Sequence, residues 1–142
     1  MKNRISGVIL AGGLARRFGG TLKTKIIIGG TTVFERITGV ITDIFDEIVI
    51  VTNNPEEFSS YPQYRVASDI FPGLGPVAGI HSGLLSCSGD AAFVFAGDMP
   101  FLDKKLISDM ISDFKGSSAD IIVPQLGDNI EPLHAIYRKD LV

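Results

Sequence analysis

The chain has 142 residues, 45% hydrophobic and 20% charged, with a formal net charge of −3. That length suits one domain with its own core, and no apolar run approaches the roughly 20 residues of a membrane-spanning helix. The mild acidity argues against general nucleic-acid binding; the single Cys87 excludes an internal disulfide or a cysteine-cluster metal site, and the two histidines, His81 and His134, lie too far apart to suggest zinc.

In chain order, Ile5–Leu10 (Ile-Ser-Gly-Val-Ile-Leu) is β-rich and reads as a buried strand. The apolar stretch 7–14 follows Lys2 and Arg4, as in a signal peptide, but Arg16 and Arg17 interrupt it at once. The expectation is therefore no targeting segment and a cytoplasmic protein. Residues 11–20 form a Gly-rich loop, and a short apolar piece at 26–28 ends at Gly29-Gly30. Thr32 can cap a helix over 33–45, with Val33, Ile37, Val40, Ile41 and Ile44 on one face. Residues 47–52 form a second strand, broken by Asn53-Asn54-Pro55 and followed by a polar helical turn or loop. A short strand is predicted at 64–67. A second Gly/Pro loop spans 71–79 and leads into a helix to about Ser86, with Pro76 in its first turn. Ala91–Ala96 is the third strong strand. Asp103 can cap a helix over 104–114, and strands are predicted at 119–123 and 134–137. Strands alternating with helices imply an α/β, doubly wound and mostly parallel sheet with helices on both faces. Ligands bind such sheets beyond the carboxyl ends of the strands. The Gly-rich loop, Asn53, Asp69 and Asp98 all follow predicted strands, so they should gather along one edge.

Three segments carry chemistry. The first loop combines Gly12-Gly13, Arg16-Arg17, Gly19-Gly20 and Lys23. Glycines let backbone amides form an anion nest, and the cations suit a triphosphate. Lys2, Arg4, Arg16, Arg17, Lys23 and Lys25 all precede Glu35, the first acidic residue, and this purely basic opening of the chain suggests a local anion site. The spacing is neither the dinucleotide fingerprint nor the P-loop. The plain alternative is a tight turn with exposed cations. The second segment is Ala96-Gly97-Asp98-Met99-Pro100. A carboxylate there can hold a hard Mg²⁺ that bridges phosphate oxygens. The plain alternatives are a helix cap or an Asx turn, and Asp103, nearer the next helix, is the better cap. The third is Asp69 with the loop 72–79, where Asp69 either faces a base, ribose or metal or simply forms a turn. Asn53 is similar: it could read a nucleoside or belong to an ordinary turn. His81, His134 and Cys87 read as packing or surface residues.

Together these segments resemble the molybdenum cofactor guanylyltransferase family, also called molybdopterin-guanine dinucleotide biosynthesis protein A. Residues 10–20 are similar to its Leu-Ala-Gly-Gly-x-[Ala/Ser]-Arg-Arg-[Met/Phe]-Gly opening, 75–79 to its Gly-Pro-[Leu/Val]-Ala-Gly loop, and 96–100 to its Asp-x-Pro metal motif. Residues 131–137 resemble a further segment beside the acceptor. The resemblance implies transfer of GMP from GTP to molybdopterin with release of pyrophosphate. The backbone of Leu10, Ala11, Gly12 and Gly13, with Asn53, would hold guanine and ribose. Arg17 and Lys23 would neutralise the triphosphate, and Asp98, with Asp69 nearby, would position Mg²⁺. GTP and molybdopterin would be the small-molecule partners, with no nucleic acid or membrane and transient contact with other molybdenum cofactor biosynthesis proteins. The nucleophile would be an ionised phosphate, so no general base is required and charge stabilisation carries the reaction.

Two departures are visible. Family members often carry an acidic residue before the loop lysine, where this chain has Leu22, so both Lys23 and Lys25 stay open as the phosphate ligand. The family also continues through an Asn-containing segment and a terminal helix without counterpart in 1–142. The expectation is a single nucleotidyltransferase domain lacking that C-terminal segment. A CTP- or sugar-phosphate-using nucleotidyltransferase and a non-catalytic nucleotide-binding module are the alternatives.

Overall fold

The computed structural model describes residues 4–11, 17–18, 21–22, 26–68 and 75–142, with backbone alone at residues 17, 18, 21 and 22. Its strands are β1 (Ile5–Leu10), β2 (Arg17–Phe18), β3 (Thr21–Leu22), β4 (Ile27–Ile28), β5 (Thr31–Thr32), β6 (Ile48–Val51), β7 (Arg65–Ala67), β8 (Ala91–Ala96), β9 (Ile121–Ile122), β10 (Gln125–Leu126), β11 (Asn129–Ile130) and β12 (His134–Arg138). The α-helices are α1 (Val33–Ile41), α2 (Pro76–Ser86) and α3 (Lys104–Lys115), with 3₁₀ turns at Pro55–Phe58 and Lys139–Leu141.

Six strands form one sheet in the order β7-β6-β1-β8-β12-β9. β7, β6, β1 and β8 run parallel, while β12 is antiparallel to both β8 and β9. Alternate residues of β1 face opposite sides, as the period of a strand requires. Ile9 joins Ile48, Ile50, Phe93, Phe95 and Ile136 beneath α1 and α3, which contribute Phe34, Ile37, Ile41, Ile107, Met110 and Phe114. Val8 and Leu10 join Val49, Val51, Ala92 and Val94 on the other face, against Leu84 of α2. Both faces are thus covered, which is why β6 and β8 are buried at every residue rather than alternating. This is the doubly wound arrangement expected.

The helix starts follow local chemistry. Thr32 and Glu35 form a reciprocal capping box at α1, the Thr32 oxygen accepting the Glu35 N–H at 3.0 Å. Asp103 caps α3 by accepting from the Lys105 N–H at 2.9 Å. α1 ends at Ile41, earlier than its apolar pattern predicts. Thr38 and Thr42 turn their hydroxyls back onto the Phe34 and Thr38 carbonyls, and Phe45 swings inward against Phe93 and Phe95, with ring centroids 6.0 and 5.9 Å away.

Three short antiparallel pairs add to the elements expected from the sequence. β4 and β5 are joined by Gly29-Gly30, with φ of 62° and 90°, the turn conformation that matches strand twist. β10 and β11 are joined through Gly127, also at φ 62°. The Gly-rich loop likewise contains the short antiparallel pair β2–β3.

The amino edge of the sheet is held by side chains. Glu47 accepts from the Ser6 hydroxyl and the Ser88 N–H, each at 2.7 Å, and Arg4 donates to the Ser88 hydroxyl at 2.8 Å. Partial burial raises the Glu47 carboxyl, but the Ser88 and Ser6 hydrogen bonds and the Arg65 charge outweigh it and hold the group below the usual range. Among the described residues no helix is long and apolar enough to cross a membrane.

α2 reaches the sheet through glycine. A Cβ on Gly83 would lie 2.6 Å from Val8 Cγ1, whereas one on Gly39 in α1 would have nothing within 4 Å. The same substitution should therefore act in opposite directions. Gly39→Ala should stabilise by about 0.5–1 kcal/mol through helix propensity, and Gly83→Ala should destabilise by about 1–3 kcal/mol through overpacking. Urea unfolding of both variants checks this; a gain in stability for Gly83→Ala would contradict the close contact between α2 and β1.

Candidate active site

Ala67, Val51, Leu10 and Ala96 are register partners across β7, β6, β1 and β8. The row continues as hydrogen bonds just beyond the strands. The Thr52 N–H donates to the Ala67 carbonyl, the Ala11 N–H to Val51 and the Gly97 N–H to Leu10, each at 2.9 Å. The Ala96 N–H donates to the Leu133 carbonyl at 2.9 Å, which brings the turn before β12 to the same edge. Four parallel strands therefore release their chains at one level. Asn53 and Asp98 follow their strands by the same interval, and the structure brings them to this edge with Leu10 and Ala11.

Asn53 is exposed, and its turn is braced by the fully buried Thr52, whose hydroxyl oxygen accepts the Asn54 N–H at 3.0 Å. Asp98 is half-buried in the turn after β8, where the Met99 N–H reaches back to the Ala96 carbonyl at 3.4 Å. The Ala11 N–H and the Leu10 carbonyl, two of the backbone groups expected to serve the ligand, are hydrogen-bonded inside the protein. Gly12, Gly13, Arg16, Lys23, Lys25 and Asp69 lie outside the described residues, as does the Arg17 side chain.

α2 brings positive potential to this edge. A Cβ on Gly79 would meet Leu10 Cδ2 at 3.2 Å, and one on Gly83 would meet Val8, so the helix runs antiparallel to β1 with its N-terminus over the carboxyl end. α1 and α3 are closed by Thr32 and Asp103, but among the described residues α2, which starts at Gly75, has no side-chain cap and no acidic residue in its first turn. Its first amides can therefore serve an anion. Gly75 itself has φ 83°, a conformation that favours glycine.

No group of three or more His, Cys, Asp or Glu side chains with metal-binding geometry occurs among the described residues. A single carboxylate such as Asp98 is compatible with Mg²⁺, which typically takes one or two carboxylates and completes its shell with substrate phosphates and water. His134 and Cys87 serve the core. His134 stands edge-on to Phe93 and Phe95, with centroids 5.1 and 5.5 Å away, and burial lowers its pKa. Burial pushes the Cys87 thiol up, the opposite of what a nucleophile requires.

The sequence reading missed Thr52 and Arg36. Thr52 looked like the end of a strand, and only its hydroxyl geometry reveals the brace. The sequence assigned Arg36 no role; the one hint was Gly29, where a Cβ would overlap its guanidinium.

Residues 7–142 match the family model described as the MobA-like NTP transferase domain. The chain belongs to the MobA-like NTP transferase family. It is 42% identical over 143 residues to a Natranaerobius thermophilus protein named "Probable molybdenum cofactor guanylyltransferase", covering 99% of this chain and 69% of that one. It is 36% identical over 135 residues to the molybdenum cofactor guanylyltransferase of Desulfosudis oleivorans, covering 95% and 66%. The crystal structure of molybdopterin-guanine dinucleotide biosynthesis protein A from Archaeoglobus fulgidus matches with a TM-score of 0.79 at 27% identity, over 95% of this chain and 68% of that one. Within the MobA-like family the chain groups with these guanylyltransferases, and it spans about two thirds of their length. The fold and family are those of a nucleotidyltransferase.

The buried His134 sets a pH dependence. Its pKa is depressed in the folded state, so the unfolded chain takes up a proton first and stability falls as pH drops below about 6.5. The Glu47 contribution is lost separately, below its ordinary value of 4.5. Melting temperature should fall between about pH 7 and pH 5, and His134→Phe, which keeps a ring against Phe93 and Phe95, should flatten that slope. An unchanged slope in the variant would show that other groups cause it.

Proposed function

We propose that the protein transfers GMP from GTP to molybdopterin in the cytoplasm, releasing pyrophosphate, with Mg²⁺ as the required metal. The observation that carries the reading is the shared level of the strand ends, with Asp98 on the turn locked to Leu10 and the N-terminus of α2 over the same edge. The family and its guanylyltransferase relatives support the substrate choice.

In this reading the terminal phosphate of molybdopterin attacks the α-phosphorus of GTP. A new P–O bond forms, the α–β bridging P–O bond breaks, and pyrophosphate leaves with the electron pair. Asp98 would hold Mg²⁺, which supplies charge neutralisation at the phosphates when bound. The protein's own work is to orient and to balance charge. Arg17 and Lys23 would neutralise the triphosphate, the first-turn amides of α2 would receive anionic oxygen, and Asn53 and Asp69 would serve the nucleoside side. A catalytic base is not required, which agrees with His134 and Cys87 being committed to packing. Product delivery would proceed by transient contact with other molybdenum cofactor biosynthesis proteins.

Two experiments test the reading. Pyrophosphate release measured with GTP, Mg²⁺ and molybdopterin should exceed release with CTP or UTP, and Asp98→Ala should lower it by a factor on the order of 10² or more with the melting temperature little changed. Turnover at the wild-type rate in that variant would reject the role of Asp98, and a preference for CTP would reassign the substrate. In equilibrium binding, Lys23→Ala should weaken GTP more than Lys25→Ala; the reverse order would move the phosphate ligand to Lys25.

A further inference from the structure

The edge that carries Asp98 is also tied to a part of the chain outside the main sheet. Arg36, on the second turn of α1, donates from Nε to the Ile28 carbonyl at 2.9 Å, and Nη2 donates to the same oxygen. Its guanidinium carbon lies 5.8 Å from the centre of the Phe101 ring. Phe101 is 77% exposed and stands in the loop that runs from Asp98 to the α3 cap, while Leu102 beside it packs into the core. The β4–β5 hairpin is pinned at its base as well, the Val33 N–H donating to the Ile26 carbonyl at 2.8 Å. One guanidinium therefore contacts two loops that are about seventy residues apart in sequence and share no strand pairing.

We propose that Arg36 is a positioning residue that fixes the loop carrying Asp98 relative to the β4–β5 hairpin. In sequence that hairpin directly follows Lys23 and Lys25. Arginine suits this task because its planar fork donates two N–H groups in-plane while its face meets an aromatic ring. Lysine can do only one of these well. Gly29 completes the device: its φ is 62°, and a Cβ there would overlap Arg36 Nη2. Gly30 has φ 90° but open space around it, so the two glycines separate displacement of the guanidinium from backbone strain alone.

The kinetic consequence rests on the nucleotidyl-transfer reading; the structural consequence does not. Where catalysis consists of positioning and charge, a shift in the separation of the two loops lowers turnover more than ground-state affinity. Arg36→Ala should lower kcat by a factor on the order of 10 to 10² with a much smaller change in KM for GTP. Arg36→Lys should recover part of the loss. Phe101→Ala should reproduce it, and the Arg36→Ala/Phe101→Ala double variant should be no worse than either single one. Gly29→Ala should follow the same pattern, while Gly30→Ala should not.

Amide hydrogen exchange of the full chain supplies a readout independent of activity. In Arg36→Ala, exchange should accelerate both in the 26–32 hairpin and in the 97–102 loop. Wild-type exchange at 97–102 in that variant, or additive losses in the double variant, would overturn the strut. A wild-type protein that releases no pyrophosphate would instead overturn the functional reading, and the exchange result would still decide the strut.

Discussion

A parallel strand can hand its chain to a ligand at one end only, and neighbouring strands cooperate only if they end at the same height. The register of Ala67, Val51, Leu10 and Ala96 meets that condition. Each backbone bond just beyond the row, from Thr52, Ala11 and Gly97, ties one turn to the adjacent strand. A slip of one residue in β8 would move Asp98 by about 3.3 Å and turn it to the other face. The burial of Phe93 and Phe95 on one face and Val94 on the other forbids such a slip. The packing of the core thus fixes where the carboxylate stands.

The two edges of the sheet divide the polar work. At the amino edge, side chains of Arg4, Ser6, Glu47 and Ser88 satisfy one another and the backbone around them, so that end is closed. At the carboxyl edge the described residues form short backbone-bonded turns, with the start of α2 over them. Buried polar groups are expensive unless paired, and at the amino edge side chains supply that pairing. The helices differ in the same way: α1 and α3 use side chains at their N-termini, and α2, whose N-terminus lies over the carboxyl edge, has no such cap among the described residues.

Glycine does several distinct jobs within this plan. Gly83 and Gly79 let α2 lie close against Val8 and Leu10, which sets the height of its first turn over the edge. Gly75 accepts a backbone conformation that begins the helix, and Gly29 clears the space that the Arg36 guanidinium occupies. At these positions glycine serves close approach and turn geometry.

Much of this was legible in the residues. The buried strands Ile5–Leu10 and Ala91–Ala96, the caps Thr32 and Asp103, the start of α2 at Pro76 and the placement of Asn53 and Asp98 after strands all follow from local chemistry, because caps, apolar runs and breakers act over a few residues. So did the doubly wound class. Other features needed the fold. The antiparallel direction of β12, the early end of α1 as Phe45 turns into the core, the brace of Thr52 on the Asn53 turn and the bridge from Ile28 through Arg36 to Phe101 each depend on partners distant in sequence. Sequence determines which backbone conformations are cheap and which side chains must be buried; only tertiary packing decides which distant groups meet, because that choice is made by the shape of the whole core and not by any one segment.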